Sequence, residues 1–212
     1  MASLWQRLLG VTDEQAMWRV QTRDDAEAFA ALVARWEEPV RRLCTRMSGD
    51  AHRGEDLAQE AFARAFARRR DFETGGRFST WLWRIALNLC HDELRRRTRR
   101  GECSLDAFAG EDGLEVLPDP ADPPSPAAAA EAGERAEVVR RALQRLPEAH
   151  RTVVILRHYE GLKFAEIAAV LGIPEGTVKS RMAESLDRLG RWLRPLAPSA
   201  PSTPGHREPV VL

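Results

Sequence analysis

The sequence predicts an all-α protein of two small helical domains joined by a flexible acidic linker. Apolar side chains recur every three or four residues through most of the chain, which is the period of a helix buried on one side. Charge and composition change abruptly between the two helical parts. We therefore expect an N-terminal domain at residues 20–100, a linker at 101–134, a second domain at 135–194 and a disordered tail at 195–212.

Three amphipathic helices make up the predicted N-terminal domain. They are "DAEAFAALVARWEEPVRRLCTRM", in which Pro39 predicts a kink, "EDLAQEAFARAFARR" and "FSTWLWRIALNLCHDELRRR". None of them can bury its apolar stripe alone, so we expect them to pack into one bundle. The positions expected to face the core are Phe29, Leu32, Val33, Trp36, Val40, Leu43, Met47, Leu57, Ala61, Phe62, Ala65, Phe66, Phe78, Leu82, Ile85, Ala86 and Leu89.

The linker and the tail lack a sustained apolar period. Residues 101–139 carry ten Asp and Glu against one Arg, and "DGLEVLPDPADPPSPAAAAEAG" is rich in proline and alanine. Such a segment cannot bury enough apolar surface to fold by itself. We expect rapid proteolysis between Asp106 and Ala130. The tail, "PLAPSAPSTPGHREPVVL", is proline-rich and is expected to be disordered as well.

The second domain is predicted to contain two helices followed by a sharp corner. Helices are expected at Ala136–Leu146 and Glu148–Tyr159, with Pro147 at the start of the latter. In "FAEIAAVLGIPEGTVKSRM", Gly172 suits the left-handed residue that ends a helix, and Pro174 suits the start of the next one.

The corner is typical of a helix-turn-helix, which places its second helix in the DNA major groove. Val178 and Met182 are expected to face inward. The polar residues left on the first turns are candidates for contacts with bases and phosphates. They are Thr177, Lys179, Ser180 and Arg181. The alternative interpretation is an ordinary helical hairpin.

A basic and aromatic stretch in the first domain indicates a second contact with nucleic acid. Residues 41–100 carry 15 Arg against 8 Asp and Glu. Arginines neutralise phosphates, aromatic faces stack on unpaired bases, and asparagine can bond to a base edge. Trp81 lies beside Leu82 and is expected in the core, whereas Trp83 lies off the stripe and is expected to be exposed. For the arginines that end the helix, the alternative is a solvated helix end. They are Arg95, Arg96, Arg97, Arg99 and Arg100.

Several classes of protein are disfavoured. The three cysteines, Cys44, Cys90 and Cys103, are widely spaced, which argues against a disulfide framework or a zinc site and favours the reducing cytoplasm. There is no apolar run of ~18 residues to insert into a membrane, and the first residues do not resemble a signal peptide. We see no nucleophile–base pair, phosphate loop or metal cluster, so we expect no enzyme, no cofactor and no metal.

Three stretches of the chain resemble a known family. "EDLAQEAFARAF", "FSTWLWRIALNLCHDELRRR" and "LPEAHRTVVILRHYEGLKFAEIAAVLGIPEGTVKSRM" resemble the bacterial sigma factors of the extracytoplasmic-function (ECF) group of the sigma-70 family. The resemblance covers roughly residues 20–100 and 135–192, in the order found in the family. It implies a promoter-specificity subunit that binds the RNA polymerase core, commonly held inactive by an anti-sigma factor.

The resemblance also implies roles for particular residues. The helix matching Asp56–Phe66 would dock on the coiled coil of the largest catalytic polymerase subunit, and the second domain would meet the flap region. Asn88 would help to hold a base flipped out of the melted −10 element, and Phe72 would lie in the loop that frames that base. Trp83, Arg95 and Arg96 of the basic and aromatic stretch are the further candidates for contact with this element. The polymerase-binding side chains would be Asp56, Gln59, Glu60 and Arg64.

The second domain would read the −35 element as duplex DNA, and the acidic linker would thread through the polymerase. One departure from the family pattern lies after "TVKSR", where Glu184 and Asp187 replace further basic residues. A carboxylate facing DNA opposes phosphate binding, so we expect Glu184 to limit −35 recognition. The alternative is that it accepts a hydrogen bond from a cytosine amine.

Two rival functions remain at the level of sequence. A stand-alone helix-turn-helix transcriptional regulator would explain the corner but would leave the first basic and aromatic domain without a role. An enzyme that acts on nucleic acid would need catalytic residues that the sequence does not offer.

Overall fold

The computed structural model describes residues 11–73, 75–100 and 126–194, and all its regular elements are helical. Side chains of residues 126–132 are not described. The all-α prediction is confirmed for the described residues. Most of the predicted linker, including most of the predicted cleavage region, and the predicted tail lie outside them. No helix in these ranges is both long and apolar enough to cross a membrane.

The first helix, α1 (Asp13–Arg23), was not among the three helices expected from the sequence. It starts with a capping box, in which the Thr12 hydroxyl accepts from the Gln15 backbone N–H and the Gln15 side chain accepts from that of Thr12. Its inner face is short and buries only Ala16, Met17 and Val20. The helix ends at Asp24, whose φ of 49° is left-handed. The apolar face is too short to stand out by periodicity, and the capping residues are the signal that marks this helix.

The three predicted helices are present. They are α2 (Ala26–Ser48), which continues through Pro39, α3 (Ala51–Ala67) and α4 (Phe78–Arg100). Asp25 and Asp50 cap the first two by accepting from backbone N–H groups. A 3-10 turn at Arg69–Asp71 and a loop lead from α3 to α4. Together with α1 these helices bury one apolar core.

Three aromatic side chains are placed differently from the prediction. Trp83 is only 3% exposed and packs edge-on against Trp36, with ring centroids 5.6 Å apart. Because α4 contacts α1, α2, α3 and a helix of the second domain, its buried surface is wider than one apolar stripe. Phe66, expected in the core, is 37% exposed near the end of α3. Trp81, also expected in the core, is only partly buried.

The second domain begins earlier than expected. Helix α5 runs over Pro126–Arg145, so the part of the predicted linker after Pro126 is helical rather than extended. Proline at the first helical position and the alanine run that follows both favour helix. Next come α6 (Glu148–Val154), which continues as a π-helical turn at Ile155–Tyr159, and then α7 (Phe164–Leu171) and α8 (Glu175–Leu193).

The predicted corner is present between α7 and α8. Gly172 is left-handed with φ 66°, and Pro174 is the N-cap of α8. Val178 and Met182 of α8 are buried, as the helix-turn-helix pattern predicts. The second domain packs on the first, with α7 against α4 and the π-helical turn against α2.

Candidate nucleic-acid interface

The outward face of α3 presents the side chains predicted to bind a protein partner. Asp56, Gln59 and Glu60 are exposed, and Arg64 is half-buried. Arg64 donates to Glu60 at 2.7 Å, and Asp56 lies 3.5 Å from Arg53. These pairs are local, so the face stays polar and accessible in the described structure. Near its end, the half-open ring of Phe66 lies under the Arg69 guanidinium, 4.6 Å from the ring centroid.

The loop before α4 is held in place by α1. The Gln21 amide donates to the carbonyls of Arg70 and Phe72, each at 3.0 Å. The ring of Phe72 is buried and packs edge-on against Trp81 and Phe78, at 5.5 and 6.3 Å between centroids. The Phe72 ring is therefore part of the wall of the loop rather than a free stacking platform.

An apolar cleft of about 220 Å³ opens beside this loop. It is lined by Glu14, Gln15, Trp18, Gln21, Phe72 and Gly75. Trp18 is 45% exposed, the largest exposed aromatic surface in the described part of the chain. Sequence reasoning missed the contribution of α1 to this region because it missed the helix itself.

The predicted nucleic-acid residues of α4 divide into two groups. Asn88, Arg95 and Arg96 are exposed. Among the described residues, the contacts of these two arginines with carboxylates are long, 3.7 Å from Arg95 to Asp92 and 3.8 Å from Arg96 to Glu93. Trp83 is in the core and cannot stack on a base, which corrects the prediction. Asn88 therefore lies on the helix that follows the Phe72 loop, and the ring of Trp83 is not on the exposed face beside it.

The first turns of α8 carry the four predicted groove-facing side chains. Lys179 and Ser180 are exposed, and Thr177 and Arg181 are half-buried. Lys179 pairs with Glu175 at 2.7 Å, and the Ser180 hydroxyl donates to the Thr177 carbonyl at 3.0 Å. Within the described residues Arg181 forms no ion pair, so its guanidinium is available to a ligand.

Glu184 is occupied by contacts within the protein. Its carboxylate accepts from Arg188 at 2.7 Å and lies 3.1 Å from Nε2 of His150 on α6. Hydrogen bonds from Arg188 and then His150 lower the pKa of Glu184. Asp187 is likewise paired with Arg191 at 2.8 Å. Part of the negative charge that was expected to oppose DNA is thus offset by neighbouring cations.

Two of the three cysteines lie within the described residues, and both are buried in the N-terminal domain. Cys44 and Cys90 are free and buried between α2 and α4, and Cys103 lies outside the described residues. A hydrogen bond with Cys44 and burial raise the pKa of Cys90 well above its ordinary value, so its thiol stays protonated. Over the described ranges, no group of three or more His, Cys, Asp or Glu is arranged to hold a metal.

Comparison with known proteins identifies both halves of the chain. The family model for sigma-70 region 2 matches residues 32–100, and that for sigma-70 region 4 matches residues 136–189. The ECF RNA polymerase sigma factor SigW of Bacillus subtilis is 38% identical over 176 residues, covering 82% of this chain and 93% of that protein. The chain belongs to the ECF sigma factors of the sigma-70 family. It is therefore a promoter-directing subunit of bacterial RNA polymerase.

A second ECF sigma factor agrees with this assignment, and two solved structures share the fold. The ECF sigma-E factor of Escherichia coli K12 is 34% identical over 194 residues, covering 88% of this chain and 96% of that protein. The fold matches CnrH in complex with the cytosolic domain of CnrY at a TM-score of 0.63 and 22% identity, over 86% of this chain and 97% of that one. It also matches RpoE of Bartonella quintana in complex with the anti-sigma factor NepR, at 0.60 and 24%, over 80% and 98%.

Proposed function

We propose that this ECF sigma factor recruits core polymerase to promoters by reading two separate DNA elements with α4 and α8. The observation that carries the proposal is the position of two exposed polar faces in the two matched regions. Asn88 follows a loop buttressed by α1, and Lys179, Ser180 and Arg181 begin the second helix of the corner. One face suits an unpaired base and the other suits a major groove.

In the N-terminal domain, Asn88 and the Phe72 loop would receive a base of the melted −10 element. Extruding a base costs a few kcal/mol, so a pocket fixed before binding favours the extruded state. The Gln21 contacts to the loop supply that rigidity. Arg95 and Arg96, exposed further along α4, would bind phosphates of the same strand. Trp83 supports this surface from the core.

In the C-terminal domain, α8 would enter the major groove of the −35 element. Arg181 is the main candidate for a bidentate contact to guanine, with Lys179, Ser180 and Thr177 around it. The polar face of α3, with Asp56, Gln59, Glu60 and Arg64, would dock on the coiled coil of the largest polymerase subunit. The C-terminal domain would meet the flap region.

The proposed role needs no catalytic group or cofactor in this chain, and it places the protein in the cytoplasm with the polymerase. The solved complex of RpoE with NepR suggests an anti-sigma factor as a further partner. In the proposed holoenzyme the acidic linker threads through the polymerase.

In-vitro transcription with core polymerase and a randomised promoter library tests the function directly. We expect transcripts from a subset of promoters that share two sequence blocks, and none without this protein. Transcription equally distributed over the library, or independent of the protein, would contradict the proposal.

A further inference from the structure

Glu184 differs from the other acidic side chains of α8 in its contacts. Its Oε1 accepts from Arg188 at 2.7 Å, and its Oε2 lies 3.1 Å from Nε2 of His150 on α6. In the described structure, the other two acidic side chains of α8 each pair with a cation one turn later in the same helix. Glu184 is thus the acidic side chain of α8 that is held from a second helix.

His150 is itself held in place. Its side chain is 16% exposed, and α6 packs along α8. The Nδ1 atom is buried and has no hydrogen-bond partner among the described residues. A proton on Nδ1 would be buried without an acceptor, which is unfavourable. We therefore assign the ring proton to Nε2, from which it is donated to Glu184.

The carboxylate of Glu184 stays open to a ligand. Its side chain is 52% exposed. An ionised carboxylate has about four acceptor positions, and the contacts with Arg188 and His150 leave part of this capacity unused. Because these contacts already fix the side chain, it loses little conformational freedom on binding. Glu184 is therefore an oriented acceptor that has no donor of its own.

Glu184 also lies on the side of α8 that is proposed to enter the major groove. It follows Ser180 by four residues and Arg181 by three, and residues at these spacings share one side of a helix. Three residues advance a helix by about 4.5 Å, and base pairs are stacked ~3.4 Å apart. Glu184 is therefore roughly one or two base pairs along the groove from Arg181.

The groups exposed in the major groove select one base for such an acceptor. Guanine presents two acceptors, and thymine presents an acceptor and a methyl group, so neither base can donate to a carboxylate. Adenine has an acceptor, N7, beside its amine, whereas cytosine presents its N4 amine as a donor alone. A side chain that only accepts is thus most complementary to cytosine.

The ion pair with Arg188 lowers the electrostatic cost of placing Glu184 in the groove. A carboxylate alone would be repelled by the DNA phosphates. The Arg188 guanidinium, 2.7 Å away, carries the opposite charge, so the pair has no net charge. Hydrogen bonds from Arg188 and then His150 lower the pKa of Glu184, which keeps the carboxylate ionised and free of a proton to donate.

We propose that Glu184 recognises a cytosine in the −35 element and that His150 is a positioning residue, which orients the carboxylate from α6. The proposal rests on the proposed function, because it requires α8 to lie in the major groove. It adds a specificity-determining residue beyond the four polar side chains on the first turns of α8. The −35 element should contain this cytosine roughly one or two base pairs from the guanine that Arg181 contacts.

Transcription by the holoenzyme from promoters that carry each of the four base pairs at every −35 position tests the readout. Wild type should favour cytosine at one position. Glu184→Ala should lose that preference by about fivefold or more, the lower end of the usual cost of one mismatched base pair, and should keep the preferences elsewhere. Glu184→Gln should move the preference to adenine, because an amide can form two hydrogen bonds with that base.

Asp187→Asn is the matched control for these variants. It removes an exposed carboxylate of α8 whose ion pair, with Arg191 at 2.8 Å, is confined to the helix in the described structure. This variant should keep the cytosine preference at the position that Glu184→Ala affects. Loss of the same preference in Asp187→Asn would show that it depends on the general charge of α8, and would contradict a direct contact by Glu184.

His150→Ala tests the positioning role on the same promoters. It should weaken the cytosine preference in the wild-type background but have no further effect on that preference in Glu184→Ala, because it acts through that carboxylate. His150→Gln keeps a side-chain donor and should preserve more of the preference than His150→Ala. Equal base preferences in His150→Ala and wild type would contradict orientation from α6, whatever the change in total transcription.

Three results would overturn the cytosine readout. They are unchanged preferences at all −35 positions in Glu184→Ala, a uniform rise in transcription from all sequences, as expected of a carboxylate that only repels phosphates, and a wild-type preference for another base at the affected position. In each case transcription by the wild type would still depend on the −35 sequence. Absence of that dependence in the wild type would instead be failure of the proposed function.

Discussion

At the scale of single residues, we predict that −10 recognition depends most on the side chain of Asn88. It is exposed on a helix whose other central residues are largely buried, and it follows the loop fixed by Gln21. Asn88→Ala should slow promoter opening and relax the preference at one base of the −10 element. Open-complex formation on the four single-base variants measures this. Asp92→Ala, also exposed on α4, should keep the base preference, and equal preferences in Asn88→Ala and wild type would contradict the assignment.

We predict that Arg181 is the corresponding residue for −35 recognition. A bidentate arginine–guanine pair contributes ~1–3 kcal/mol of discrimination, so Arg181→Ala should lower −35-dependent transcription by about 5- to 150-fold. Arg191→Ala removes the same charge later on α8, where the guanidinium already pairs with Asp187, and should have a smaller effect. Because Glu184 is paired with Arg188 and His150, Glu184→Ala should change affinity less than Arg181→Ala does. Footprints of the holoenzyme on matched promoters measure the effects of these three substitutions.

His91 gives stability a pH dependence with a definite sign. Burial lowers its pKa below 6.5, with Arg95 and Arg151 acting in the same direction and Glu148 and Asp92 opposing them. Neutral His91 therefore contributes stability that is present above pH 6.5 and is lost as pH falls through its lower pKa in the folded protein. Between about pH 7.5 and about pH 5.5, the melting temperature should fall further for wild type than for His91→Gln. An equal fall in melting temperature for the two proteins would rule out this contribution of His91.

At the scale of elements, the close approach of α2 and α3 depends on Gly54. A Cβ placed at Gly54 would lie 2.6 Å from Cα and 2.7 Å from N of Thr45, which are backbone atoms of the facing helix. Overpacking of this kind costs about 1–3 kcal/mol, even though alanine favours helix over glycine. Gly54→Ala should lower the free energy of unfolding in denaturant titrations. Gly190→Ala, where nothing lies within 4 Å, is the matched control and should not destabilise.

The polar face of α3 should bind polymerase through charge as well as shape. Asp56→Lys/Glu60→Lys should weaken capture of the core while leaving the helical content intact, since both side chains are exposed. Glu37→Lys/Glu38→Lys makes the same charge change on exposed residues of α2 and should retain core binding. Equal capture by the two double variants would place the polymerase contact elsewhere.

The spacing of apolar residues predicted the long helices correctly. It failed for residues of a helix that is buried on more than one side. Helices α2, α3, α4, α7 and α8 follow from apolar spacing and corner residues. Trp83 was misplaced because α4 is surrounded by neighbours on several sides, so a residue off the main stripe is also buried. Helix α1 was missed because its buried face has only three residues. The predicted start of α5, at Ala136, is ten residues late because an alanine run next to prolines reads as linker.

At the scale of the whole molecule, the sequence predicted two domains and their ligands but not their mutual packing. The residues that join the domains, such as Arg84, Arg140 and Arg151, look like ordinary surface cations in the sequence. Their hydrogen bonds are to backbone carbonyls of the other domain. Every residue has a backbone carbonyl, so these acceptors cannot be recognised from residue types. The net charge of zero likewise conceals the alternation of basic and acidic segments.

The most direct test of the account is a combined footprint and permanganate experiment on a promoter recovered from the library. With core polymerase and this protein together, we predict protection from the −35 to the −10 element and permanganate-reactive thymines within the −10 element. The protein alone should protect neither. Protection of a palindromic site by the protein alone, unchanged by core polymerase and without reactive thymines, would identify a stand-alone regulator and contradict the account.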